Sequence, residues 1–124
     1  MKPRLIGDEN TSHHLVSACR KLETDFPLLH LADWQGGAFL GAKDSPLLQT
    51  LLAHKLVLVG FDRRTLAFHA GALTREGLGH AGVILFRRSI PQSDYGQQAR
   101  LLVEFWRAAS DWDWQDLIVY LPTS

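Results

Sequence analysis

Cysteine is nearly missing from this chain: Cys19 stands alone among 124 residues. An internal disulfide is excluded, so the fold must be held by its core, as expected in a reducing compartment. Cys19 lies among apolar neighbours and reads as a buried core thiol, not a nucleophile. Net charge is missing too, because Lys plus Arg and Asp plus Glu both number 13. No basic tail or overall positive field draws the chain to nucleic acid, and any contact with RNA or DNA must be local. No apolar run approaches the ~20 residues of a membrane helix, and no signal-peptide core precedes the first acids. These absences imply a soluble, bacterial-type, cytoplasmic domain with no membrane partner. Repeats, linkers and low-complexity stretches are absent as well, so 1–124 reads as a single domain.

What is present is enough apolar sequence, 46% of residues, to build a core. Its pattern alternates between two periods. Arg4 to Gly7 reads as a short buried strand. Thr11 or Ser12 caps a helix in which Leu15, Val16, Cys19 and Leu22 recur at helical spacing. After Pro27, Leu28 to Ala32 reads as a second strand, and the glycine-rich "DWQGGAFLGAKD" as a loop. Ser45-Pro46 starts a second helix, striped by Leu47, Leu48, Leu51 and Leu52. Leu56 to Val59 is a continuous apolar run, the mark of a strand covered on both faces. A helix follows from Arg64 to about Glu76, then a strand from Gly82 to Arg87. Ser93 or Asp94 caps a long helix through Ala109, and Leu117 to Pro122 forms the last strand. Strand and helix in strict alternation predict an α/β fold, a parallel sheet with helices on both faces.

Ligands of such sheets bind beyond the carboxyl ends of the strands, near the point where strand order reverses. Three acids stand at such ends: Asp8 after the first strand, Asp44 before the second helix, and Asp62 after the third strand. Each has a plainer reading, Asp44 as a helix cap and Asp8 and Asp62 as turn residues. Three converging carboxylates repel one another unless a cation lies between them. Mg²⁺ and Mn²⁺ favour oxygen ligands, and such a metal activates water against a phosphodiester. Asn10 reads as a cap or as an amide supporting Asp8, and Glu9 as a solvated side chain. His13 and His14 are expected on the exposed first turn of the first helix. Trp106 falls on an apolar helix face, and "SDWDWQD" offers a surface for a partner.

At this point the motifs resemble those of a bacterial family of PIN-like proteins, toxin-like and related to PIN-domain ribonucleases. Its Asp-Glu-Asn strand end is here "LIGDEN", its Gly-Ala-Ser-Asp helix start "GAKDSPLL", its third strand with a terminal Asp "LVLVGFD", and its later Gly-Val-Ile-Leu strand "GVILFR". A subgroup is closer still, through "DRRTLAFHA", "WRAAS" and "IVYLP". The resemblance spans essentially the whole chain. It implies a PIN-like three-layer α/β/α fold with a mainly parallel sheet of about five strands. It also implies a Mg²⁺- or Mn²⁺-dependent endoribonuclease in which Asp8, Asp44 and Asp62 bind metal. Asn10, Arg64, Thr65 and His69 would support the site or meet substrate. RNA is the implied substrate, with an antitoxin protein and a second copy of the chain as implied partners. Two departures stand out. Arg64 occupies the place of a fourth acid, and Phe61 that of a histidine before the third-strand Asp. They support an alternative, a catalytically degenerate PIN-like binding or assembly module. A phosphoacceptor receiver domain also carries acids after its first and third strands. It needs a lysine after its last strand, and the last lysine of this chain is Lys55.

Overall fold

Leu56–Phe61, the longest apolar strand of the chain, forms the centre of the sheet and is buried at every position. The computed structural model describes residues 2–124. Its elements are β1 (Arg4–Gly7), α1 (His13–Leu22), β2 (Leu28–His30), α2 (Asp44–His54), β3 (Leu56–Phe61), α3 (Arg64–Arg75), β4 (Val83–Phe86), α4 (Tyr95–Ala109) and β5 (Ile118–Leu121). The strands make one five-stranded sheet in the order β2-β1-β3-β4-β5, and every neighbouring pair is parallel. The predicted α/β class, the alternation and the three layers all hold.

Side-chain alternation along β3 divides the core in two. Val57, Val59 and Phe61 pack with Leu15, Cys19, Leu102 and Trp106 beneath α1 and α4. Leu56 and Leu58 pack with Leu47, Leu51, Leu66 and Leu73 beneath α2 and α3. Cys19 is wholly buried in the first cluster, and burial pushes its thiol up to about 12, so it is no nucleophile at neutral pH. Phe86 is fully buried, its ring centroid 5.7 Å from that of Phe61. Phe86→Ala is expected to cost roughly 3–5 kcal/mol, read as a fall in the urea midpoint at unchanged m-value.

Two segments differ from the sequence reading. β2 stops at His30, and Leu31–Gly37 turns into a 3₁₀ segment interrupted at Trp34, Gln35 and Gly36, of which the last two have positive φ. The stretch expected to be strand end and loop is thus held against the sheet by buried Leu31 and Trp34. α2 begins at Asp44, one residue before the expected Ser45-Pro46 start. No helix among the described residues is long and apolar enough to cross a membrane.

Strand order reverses between β1 and β3. The chain steps from β1 outward to β2, then returns across β1 to β3 and runs on to β4 and β5. The steps from β3 to β4 and from β4 to β5 go the same way, yet α3 and α4 lie on opposite faces. These two connections therefore have opposite hands, although parallel crossovers are right-handed in about 98% of proteins. α4 lies on the α1 face and packs along α1. The segment from Arg87 to Asp94 consequently runs back over the carboxyl edge of the sheet.

Candidate active site at the carboxyl edge

Asp8 follows β1 at the reversal point, and its backbone N–H continues the ladder by donating to the Val59 carbonyl at 3.0 Å. The residue is 3% exposed, and its side chain lies over Gly60 of β3. A Cβ at Gly60 would stand 2.7 Å from Asp8 Oδ2, so the absence of a side chain there is what admits the carboxylate. The turn after β1 grips the other oxygen. Asp8 Oδ1 accepts from the backbone N–H groups of Asn10 at 2.9 Å and Thr11 at 3.1 Å, and the Thr11 hydroxyl donates to the Asp8 carbonyl at 2.7 Å. Asn10 thus supports Asp8 through its backbone. The residue is itself exposed, and the contact to Asp8 comes from its backbone N–H. Ser12 supplies the helix cap, accepting from His14 N–H.

Behind this turn lies a histidine that the sequence reading passed over. His30, at the end of β2, is buried. Its Nδ1 accepts from Ala32 N–H at 3.0 Å, which leaves Nε2 to carry the proton and donate to the Thr11 carbonyl at 2.8 Å. The neutral Nε2–H tautomer therefore ties β2 to the loop that aims Asp8. His13 stacks on His30 at 4.0 Å between ring centroids and places Nε2 3.1 Å from Asp33 Oδ2. His13 and His14 are exposed, as expected.

Asp44 occupies the first turn of α2 and is not its cap. Lys43 holds the cap position without a side-chain hydrogen bond, and the Asp44 carboxylate faces the positive end of the helix dipole. Between Asp8 and Asp44 lies Arg63. Its Nη2 is 3.5 Å from Asp8 Oδ2 and 3.4 Å from Asp44 Oδ1, long contacts for charge-assisted hydrogen bonds. Arg63 Nε is buried without a hydrogen-bond partner among the described residues. Two carboxylates facing one guanidinium leave the cluster short of positive charge. Burial raises the Asp8 pKa above its ordinary value of 3.8, with Arg63 and the two backbone N–H groups pulling the other way and Asp44 adding to the rise.

Asp62 stands one residue beyond β3, its backbone N–H bonded to the Phe86 carbonyl at 2.8 Å. It lines a cleft of about 190 Å³ with Phe61, Arg87, Arg88, Pro91 and Gln92, beneath the segment that returns to α4. Asp8 and Asp44 are brought together by Arg63, and Asp62 lies on the adjoining strand end. Among the described residues no three His, Cys, Asp or Glu side chains are grouped as a metal shell. Arg64 and Thr65 are exposed in the first turn of α3. His69, a turn further on, borders a separate cavity with Ser45, Phe68 and Glu76. Arg63, the residue that joins the two acids, was not among the expected site residues. Its only sequence signal is its place directly after Asp62.

No family model, curated protein or solved structure matches the chain. The sheet order is that of flavodoxin-like folds, receiver domains included. At the end of β5, where a receiver would carry its lysine, stand Leu121 and Pro122.

Proposed function

We propose that the chain is a divalent-cation-dependent nuclease of the PIN-like kind, hydrolysing RNA phosphodiester bonds at the carboxyl edge between β1 and β3. The observation that carries this reading is the buried Asp8 carboxylate, set over Gly60 and sharing one cation, the Arg63 guanidinium, with Asp44. The donor set fits Mg²⁺ or Mn²⁺, which take one or two carboxylates and fill the remaining positions with water. Asp8 and Asp44 would hold the ion, with Asp62 as the third acid of the edge. Bound there, the ion would supply an activated water and neutralise charge on the phosphodiester. The chain's own part is to fix the carboxylates. The Asn10 and Thr11 N–H groups orient Asp8, and the first turn of α2 carries Asp44.

The test is cleavage of single-stranded RNA with Mn²⁺ or Mg²⁺. Wild type is expected to cleave, chelation to stop it, and Asp44→Asn, which removes a proposed ligand, to slow it by more than about 100-fold, beyond what loss of a supporting group costs. Equal rates for wild type and Asp44→Asn would remove the basis of the proposal. One observation favours a second reading, a catalytically silent PIN-like module: Arg63 already neutralises part of the charge on both acids. That reading expects no Mn²⁺ binding at millimolar metal and a stable protein partner.

A further inference from the structure

We infer that Arg63 is a displaceable internal counter-ion. It holds the cation position in the metal-free protein and must leave for a divalent ion to enter, so it sets the metal affinity of the chain. The inference rests on the carboxylate-pair reading above and adds a residue to it.

Three observations carry it. Arg63 is the only cation recorded within ion-pair distance of either Asp8 or Asp44 among the described residues, and it reaches both with one nitrogen, Nη2. A guanidinium built as a permanent clamp presents two parallel N–H groups to one carboxylate at 2.7–2.9 Å. Here both contacts are single and near 3.5 Å. The buried Nε has no acceptor, so leaving sacrifices no hydrogen bond at that atom and gives it access to water. Finally, Arg63 has somewhere to go. It is the residue before α3, its side chain is 35% exposed, and no side-chain cap bond ties it to the helix.

The physical argument is competition for one place. A guanidinium and a hydrated divalent ion cannot both stand between the same two oxygens. A cation beside a carboxylate lowers that carboxylate's affinity for another cation. For protons the effect is 1–3 pKa units, which corresponds to roughly 10- to 1,000-fold. Removing the Arg63 charge should therefore tighten Mn²⁺ binding by at least about tenfold. Arg64, one residue on and exposed, faces no such competition and serves as the control.

The experiment is a Mn²⁺ titration followed by electron paramagnetic resonance on wild type, Arg63→Gln, Arg63→Lys and Arg64→Gln. Arg63→Gln is expected to bind at least tenfold more tightly than wild type. Arg63→Lys, whose shorter single ammonium spans the pair less well, should fall between them, and Arg64→Gln should match wild type. Equal or weaker binding by Arg63→Gln, with wild type still binding, overturns the counter-ion role and leaves the metal reading standing. Absence of binding by every variant overturns both. The unaltered protein gives a second readout. On addition of Mg²⁺ the Arg63 Nε–H resonance should shift and exchange faster with water. An unchanged, protected signal at saturating metal overturns the inference without any substitution.

Discussion

Asp8→Asn is expected to abolish metal-dependent RNA cleavage while leaving the protein at least as stable as wild type at neutral pH. Activity should fall by more than about 100-fold, beyond what loss of a merely supporting group costs. Stability should move the other way. Asparagine keeps the oxygen that accepts from Asn10 and Thr11 N–H, so the turn survives, and Arg63 keeps Asp44 as a partner. What disappears is a buried charge. Asp8 titrates above its ordinary 3.8 in the folded protein, chiefly through burial. A group with a raised folded pKa gives its full stabilising contribution below the unfolded value and loses it as pH rises through the folded value. Ionised Asp8 is therefore a strain at neutral pH. The margin of Asp8→Asn over wild type should widen from acid towards neutral pH and then level off. Paired urea melts across that range, beside a cleavage assay, check both halves. A variant that is clearly less stable than wild type throughout would mean that the Arg63 pair outweighs the burial of the charge.

Gly60→Ala should damage the same site from beneath. The added Cβ would lie 2.7 Å from Asp8 Oδ2 and 3.3 Å from its Cγ, distances that require something to move. The carboxylate cannot slide freely, because Oδ1 is tied to two backbone N–H groups. β3 cannot retreat either, being paired with β1 on one side and β4 on the other. The expected cost is about 1–3 kcal/mol, together with loss of Mn²⁺ binding. Truncating Asp8 removes the clash, so the double variant Asp8→Ala with Gly60→Ala should lose less stability than the sum of the single changes. A coupling of about 0.5 kcal/mol or more in that direction is expected for groups in contact. Simple additivity would show that Asp8 does not rest on Gly60.

A large part of the framework is legible in the residue order. The run Leu56 to Val59 announced a strand covered on both faces, and the alternation of periods announced the parallel sheet with its two helical layers. A local pattern could do this because burial on one face or two is written directly into side-chain order. It also placed Asp8, Asp44 and Asp62 at strand or helix ends on one edge. The boundaries at His30 and Asp44 were less legible. There the packing of Leu31 and Trp34 accompanies the end of β2, and α2 begins at Asp44 after a Lys43 cap position that makes no side-chain hydrogen bond.

Sequence by itself determined the class of fold, the edge that carries the acids and the burial of Cys19, since each follows from local periodicity or composition. Only the tertiary structure decided the partners. Arg63 follows Asp62 in the chain, yet its side chain serves Asp8 and Asp44, 55 and 19 residues away. His30 governs the Asp8 turn from a neighbouring strand. The opposite hand of the β4–α4–β5 connection belongs here as well. The apolar stripe of α4 fits either face of a parallel sheet, and its packing against α1 selects one of them. Contacts of that kind depend on which surfaces meet in space, and residue order along one element does not encode them.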